Sequence, residues 1–276
     1  MRARTMRLDL HMHTTASDGA WSPAAVARAS AGRLDVIAIT DHDTTAGIAG
    51  ARLAAEGLPL HVIPAVELSS THRGRDIHVL GYFVDPEAPA LKAHEEHAHG
   101  ARQRRMAKMI ERLEALGVHV EMDAVLAAAG PDRGSLGRPH LARALVEAGH
   151  AQSVPDAFDR WIGDLHPAFV PTDLLDPPGA VEVVRSAGGI AVWAHPPTDL
   201  VDALLPVLVR AGLRGLEVYR PRADPQQMGR LERAARTAGL VVTGGSDWHT
   251  PDAGSELGDF HVTGDEVARF LEEGGM

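Results

Sequence analysis

A chain of 276 residues with 45% apolar and 23% charged residues can bury one large core, or one core with a small insertion, as a globular protein does. It has no cysteine, which excludes disulfides and thiolate metal ligands, so any bound metal must be held by nitrogen and oxygen. A formal net charge of −10 weighs against non-specific binding to long nucleic acid.

The basic start, Met1 to Arg7, runs directly into a strand pattern without the apolar core of a signal peptide. No apolar run approaches the roughly 18–20 residues that span a bilayer. A cytoplasmic location with no membrane partner is therefore expected. Arg7 to Met12 reads as a short strand. Residues two apart on a strand share a face, so His11 and His13 present two imidazoles side by side, as two ligands of one ion require. Ser17-Asp18-Gly19 reads as a turn returning Asp18 to the strand end. Ser22-Pro23 opens a helix over 24–31, with Ser as cap and Pro at the first helical position. A second strand, 36–40, runs into Asp41-His42-Asp43. Asp41 is expected to orient a ligand histidine or to cap the next helix, 45–56, and Asp43 to be a cap. A third strand, 61–67, ends at Glu67. These runs are apolar throughout rather than alternating, which argues a parallel sheet covered by helices. Segments 69–71 and 76–84 flank a hairpin turn at His72-Arg73-Gly74-Arg75 and put His78 on the returning arm. His61 and His72 read as surface histidines.

From about residue 91 the pattern changes. Met106, Met109, Ile110, Leu113 and Leu116 recur at three- and four-residue steps on one long helix, 91–116, which Gly117 stops. Shorter helices follow at 122–129, 139–147 and 154–162, with no strand before 190. Residues 98–168 thus read as a small helical domain inserted into an α/β body made of 1–97 and 169–276. On the long helix, His94, His97 and His99 beside Glu95 and Glu96, and Arg102, Arg104 and Arg105, read as a solvated face. The α/β alternation then returns: helix 179–187, strand 190–194 ending at His195, helix 200–211, strand 216–219, helix 226–238, strand 240–243 and helix 264–273. Ser246-Asp247-Trp248-His249 follows the last strand.

Imidazoles or carboxylates thus close five successive strand candidates, which chance placement does not explain. His11-x-His13, Thr40-Asp41-His42, Glu67, Ala194-His195-Pro196 and Ser246-Asp247-x-His249 together resemble the PHP (polymerase and histidinol phosphatase) family of metal-dependent phosphoesterases. The resemblance implies a distorted (β/α)7 barrel whose site lies at the carboxyl ends of its strands. It implies about two to three divalent ions, manganese first with zinc or iron as alternatives. One ion would be held by His11, His13, Glu67 and Asp247. Glu67 would bridge to a second, held by His78 and His195, and a third would be held by Asp18, His42 and His249. Glu67, Asp247 and His249 are expected to carry catalysis as well. In such clusters a bridging water loses its proton near neutral pH and attacks phosphorus in line, while the ions clamp the phosphoryl oxygens.

Ser135-Leu136-Gly137-Arg138-Pro139-His140 starts a helix, so backbone N–H groups and Arg138 converge where an anion could dock. Within the family, an inserted helical segment carrying Gly-Arg-Pro-His resembles the branch acting on nucleoside 3′,5′-bisphosphates and on short RNA 5′ ends. Ser135, Arg138, His140 and, after the strand at 216–219, Arg220 and Arg222 are therefore candidate substrate contacts. The implied reaction is hydrolysis of the 3′-phosphate of a small nucleotide, a nucleoside 3′,5′-bisphosphate. The alternatives are a histidinol-phosphate phosphatase and a 5′–3′ exonuclease on short oligoribonucleotides. A non-catalytic structural domain is disfavoured, because all nine ligand positions are filled.

Overall fold

A computed structural model describes residues 5–130, 135–251 and 256–276. Its strands, β1 (Arg7–Met12), β2 (Val36–Ile39), β3 (His61–His72), β4 (Arg75–Tyr82), β5 (Ile190–Trp193), β6 (Gly215–Tyr219), β7 (Val241–Gly244) and β8 (Val262–Thr263), form one sheet. The order is β7-β6-β5-β4-β3-β2-β1-β8. Met12 pairs in parallel with Trp248, just past β7, so the sheet nearly closes into a barrel. The eighth strand is a two-residue piece antiparallel to β1.

The distortion comes from β4, which runs antiparallel to both its neighbours. Arg73 and Gly74 both have positive φ, 51° and 78°, the conformation that a tight two-residue hairpin turn needs. A hairpin therefore replaces one strand–helix–strand crossover. It also lengthens β3: Glu67 does not end the strand but pairs with Leu80, and Ser69 pairs with His78. The parallel pairing with β2 stops at Pro64, so Glu67 projects past the end of β2 and lies beside His42.

Apolar residues on both faces of the strands have two destinations. Leu10, Ala38, Ala65, Leu80, Val192 and Val241 come from six strands and form one buried cluster, which fills the inside of the sheet. Ile37, Ile39 and Val62 pack outward beneath α1 (Pro23–Ser30) and α2 (Ala46–Ala55). The chain then leaves the sheet through α3 (Pro89–Ala115), α4 (Met122–Ala129), α5 (Arg138–Glu147) and α6 (Val154–Ala157), the last continued by a π-helical turn over Phe158–Ile162. These helices enclose a separate apolar cluster that includes Met109, Leu113, Val125, Leu141 and Leu145. The start of α3, at Leu91, belongs instead to the cluster beneath α7 (Pro177–Ser186), α8 (Val201–Ala211) and α9 (Pro225–Ala238). Finally α10 (Ala268–Glu273) sets Phe270 edge-on to Tyr82, ring centroids 4.9 Å apart, and plugs the barrel end opposite the histidines. Among the described residues no helix is long and apolar enough to cross a membrane.

Closure of the barrel depends on one close approach. A Cβ on Gly245 would lie 2.3 Å from the His11 Cβ and 2.4 Å from its backbone N, so a side chain there must push β1 and the loop after β7 apart. Gly245→Ala is expected to cost about 1–3 kcal/mol of stability. At roughly 2–4 °C per kcal/mol for a chain of this size, a thermal melt should fall by several degrees. An unchanged melting temperature would show that the approach relaxes without cost.

Candidate metal centre and the cavity above it

The strand ends and their loops are tied together before any side chain of the cluster is placed. Asp9 accepts the Ser246 N–H at 2.8 Å, the Asp247 N–H donates to the His11 carbonyl at 2.9 Å, and the His13 N–H donates to the Trp248 carbonyl at 2.9 Å. Asp41 accepts from the Thr14 N–H, the Thr14 hydroxyl and the Ser17 hydroxyl, each at 2.7 Å. It neither caps α2 nor bonds a histidine; it shapes the turn that carries Asp18. A Cβ on Gly19 would lie 2.5 Å from the His13 carbonyl group, so that turn closes only on glycine.

The nine side chains expected to act together do converge, around Glu67. Its Oε2 lies 3.0 Å from His11 Nε2, 3.1 Å from His13 Nε2 and 3.3 Å from His42 Nδ1. Its Oε1 lies 2.9 Å from His78 Nδ1 and 3.1 Å from His195 Nε2. Asp247 Oδ1 is 3.2 Å from His13 Nε2, and Asp18 is 3.4 Å from His249 Nε2 and 3.8 Å from His42 Nε2. Three groups have donor atoms close enough to share an ion: His11, His13, Glu67 and Asp247; His42, Glu67 and His78; and His13, Asp18, His42 and His249. His13 and His42 thus each stand in two groups. His42 stands in one group with Glu67 and His78, and His195 reaches the same Glu67 oxygen as His78.

Burial disfavours every charge here, and neighbours decide which survive. Burial would raise Glu67, but its histidine neighbours, His11 foremost, hold it well below the usual carboxylate range. Burial likewise opposes the His13 imidazolium, but Asp247 and Glu67 outweigh it and carry its pKa up to about 10. At His42 burial wins and pushes the imidazole down to about 3.

The donor set fits divalent cations on a structural test. His13 Nε2 and His42 Nδ1 are buried and make no hydrogen bond, although carboxylate oxygens lie 3.1 and 3.3 Å away. Buried nitrogens left unaligned beside carboxylates are placed as donors to a shared cation would be. Tautomers are set from behind. His11 Nδ1 donates to Glu217 at 2.8 Å and His249 Nδ1 to the Asp247 carbonyl at 2.9 Å, which turns both Nε2 atoms towards the cluster. Glu217 also accepts the His195 N–H at 2.7 Å. Sequence reasoning passed over Glu217, yet a signal was present: a carboxylate within the apolar strand Leu216-Glu217-Val218 must be buried and therefore partnered. His195 and Asp247 hold positive φ, 30° and 55°, an unfavourable conformation for side-chain-bearing residues that concentrates at working sites.

A cavity of about 390 Å³ opens over the cluster. Its barrel wall includes Glu67, His78, His195 and Asp247, and its other wall includes Arg102, Arg138, Arg143, Val154 and Phe158. Ser135, His140 and Arg220 are not among the lining residues. Ser135 donates its N–H to the Ala16 carbonyl at 3.0 Å, His140 Nδ1 accepts the Gly137 N–H at 3.0 Å and so caps α5, and the Arg220 carbonyl accepts from Ala223. Asp43 is not a helix cap. It is buried and accepts from the Ser69 N–H, His94 Nε2 and Arg102 Nε, each at 2.8 Å. Arg105 is buried too, paired with Asp76 at 2.7 Å. The face expected to be solvated is therefore divided: His97, His99 and Arg104 are exposed, while His94, Arg102 and Arg105 are buried against the site. Residues three and four apart share a helix side, and here that side carries partnered charges among apolar groups such as Ala98, Ala101 and Met106.

No family model matches the chain. It is 36% identical over 260 residues to a 5′-3′ exoribonuclease of Haemophilus influenzae, covering 92% of this chain and 94% of that one. It is 32% identical over 254 residues to a 3′,5′-nucleoside bisphosphate phosphatase of Chromobacterium violaceum, covering 90% and 88%. A solved structure from Bifidobacterium adolescentis, described as a candidate metal-dependent phosphoesterase, superposes with a TM-score of 0.86 at 33% identity, over 96% of this chain and 95% of that one. Fold, cluster and relatives agree over nearly the whole length: the protein is a metal-dependent phosphoesterase, a hydrolase. The chain belongs to the PHP family.

The Asp43–Arg102 pair yields a stability prediction. Arg102→Met leaves the Asp43 carboxylate buried with His94 and backbone alone, at a cost of about 3–5 kcal/mol. Burial raises the Asp43 pKa, but Arg102 and His94 hold it below its ordinary 3.8. A depressed carboxylate stabilises the fold above its unfolded value and loses that contribution as pH falls below it. The gap in urea midpoint between wild type and variant should be full at pH 6 and should narrow below about pH 4. A gap that widens on acidification would contradict the pairing.

Proposed function

We propose that the protein removes the 3′-phosphate of a nucleoside 3′,5′-bisphosphate, using about two to three divalent cations, manganese first and zinc or iron otherwise. The ligands in this reading are His11, His13, Asp18, His42, Glu67, His78, His195, Asp247 and His249. The observation that carries it is a single cavity with two unlike walls. One wall is a cluster of imidazoles and carboxylates, and the other carries arginines and an aromatic ring. Its volume lies in the range of small-ligand sites. Residues 98–168 act in this reading as the part that covers the substrate.

Bound divalent cations supply the charge that activates a water and neutralises the phosphoryl oxygens. This chain's residues do the rest. Glu67 offers one oxygen to each side of the cluster, which suits a carboxylate shared between ions. Glu217 and the Asp247 carbonyl keep the His11 and His249 lone pairs aimed inward. Asp247 is 36% exposed, so a carboxylate of the cluster faces the cavity where the ester would lie. On the far wall Arg138 stacks over Phe158 and Phe169, at 5.4 and 5.2 Å, and pairs with Asp164 at 2.7 Å. A guanidinium braced in this way meets a second phosphate with little loss of freedom. A nucleoside bisphosphate has that second phosphate, and histidinol phosphate does not.

The exoribonuclease relative favours a second reading at the same site, with the 5′-phosphate of a short RNA on Arg138 and an internal ester over the cluster. Turnover of a panel containing a nucleoside 3′,5′-bisphosphate, a 5′-phosphorylated dinucleotide, histidinol phosphate and p-nitrophenyl phosphate separates these. The bisphosphate should give the highest kcat/KM, and a preference for histidinol phosphate would reject the assignment.

Two variants sharpen it. Glu67→Gln should lower kcat on every ester in the panel, by about a hundredfold or more, since loss of even an outer partner of a metal ligand typically costs about 10–100-fold. Arg138→Ala should lower kcat/KM on the bisphosphate by about ten- to a hundredfold, one charge-assisted bond being worth roughly 1.5–3 kcal/mol. On p-nitrophenyl phosphate the Arg138 effect should be far smaller. Equal losses on both substrates would remove Arg138 from the role.

A further inference from the structure

Among the described residues three arginines line the cavity, and their charges are not equivalent. Arg102 is spent within the protein: it donates to Asp43, to the Ser69 hydroxyl at 2.7 Å and to the Leu136 carbonyl at 3.0 Å. Arg138 is paired with Asp164 at 2.7 Å, lies 3.7 Å from Asp76 and donates to the Ile162 carbonyl at 3.3 Å. Arg143, one turn further along α5, has no carboxylate partner among the described residues. Its Nη2 donates to the backbone carbonyl of Asp18 at 2.5 Å.

That difference decides what each can do for an anion. A guanidinium facing a carboxylate has part of its fork committed, so it can hold an outlying phosphate with its remaining donors but brings less free charge to the phosphoryl group that reacts. A backbone carbonyl is neutral. It holds the guanidinium in place and leaves most of its five N–H donors unused, while the Asp18 carboxylate acts on its charge only from beyond ion-pair distance. The tether also sets the location. Asp18 belongs to the group with His13, His42 and His249, so Arg143 stands at the edge of the cluster and not at the remote end of the cavity. The turn that carries Asp18 has another attachment to the 98–168 segment, the Ser135 N–H to the Ala16 carbonyl, so Arg143 is not its sole fastening.

We propose that Arg143 is a catalytic residue that grips the non-bridging oxygens of the phosphoryl group being cleaved, while Arg138 serves the remote phosphate. This rests on the ester being cut over the imidazole and carboxylate cluster. In hydrolysis the water oxygen bonds to phosphorus and the ester P–O bond breaks. One water proton ends on the leaving alcohol oxygen and the other stays on, or is lost from, the phosphate. Arg143 transfers no proton in this step. It donates hydrogen bonds to oxygens whose charge is redistributed as the bond breaks, the place where a fixed cation lowers the barrier.

The test uses the full chain, as wild type, Arg143→Ala and Arg143→Lys, with p-nitrophenyl phosphate, which has no second phosphate, and with a nucleoside 3′,5′-bisphosphate. Binding of inorganic phosphate is measured calorimetrically, and divalent metal content is measured alongside. Arg143→Ala should lower kcat on both esters by about a hundred- to a thousandfold. It should also weaken phosphate binding by about tenfold or more with metal content unchanged, since a charge-assisted contact is lost. Arg143→Lys should recover part of both losses, and millimolar guanidinium should partly revive the alanine variant, which a merely structural role would not allow. Unchanged kcat and phosphate affinity would overturn the proposal. So would a loss confined to the bisphosphate, or a loss that tracks departure of metal. Phosphate affinity is read without turnover, so an inactive wild type would count against the hydrolytic reading while the affinity ratio still decides Arg143.

Discussion

Glu67 is a carboxylate buried at the mouth of a barrel, and a charge in that position persists only among opposite charges and aligned donors. Five imidazole nitrogens lie within 3.3 Å of its two oxygens. Much of the architecture follows from supplying them. β3 must run past the end of β2 to lift Glu67 clear, and the hairpin to β4 returns His78 opposite Ser69. The loops after β2, β5 and β7 bring His42, His195, Asp247 and His249 to the same point. A purely parallel barrel would have followed β3 with a helix and left the Oε1 side of Glu67 without His78.

The helical segment is fastened at this site as well as to β4, where Arg105 pairs with Asp76. Arg102 of α3 reaches Asp43, one residue beyond His42, and Arg143 of α5 reaches the Asp18 carbonyl. Ser135 bonds Ala16 in the turn between His13 and Asp18. Each loop that carries cluster residues from β1 and β2 is thereby tied to the wall that would face a substrate. A change on that wall is transmitted to the cluster through one or two hydrogen bonds. Relatives of similar identity carry different names, an exoribonuclease and a bisphosphate phosphatase, so overall likeness does not by itself fix which ester is cut.

The barrel and the convergence of nine side chains were legible because the residue types recur at strand ends, where a parallel barrel places its working groups. The hairpin was legible too, since Arg73-Gly74 between two apolar arms is local information. What stayed hidden depends on partners far along the chain. Asp43, just before a helix, looks like a cap until His94 and Arg102 arrive from α3, 51 and 59 residues later. Glu217 shows only as an oddity in an apolar strand until His11 is placed beside it, 206 residues away. The two-residue β8 carries too little pattern to be seen, and its pairing with β1 reflects barrel closure rather than propensity.

This buried cluster is arranged to hold divalent cations, and hydrolysis depends on them. Elemental analysis of freshly purified protein, read together with turnover before and after chelation, tests it most directly. The protein should carry about two to three equivalents of divalent metal per chain, with activity lost on chelation and restored by added cation. Less than one equivalent with full turnover, or turnover that survives chelation, would contradict it.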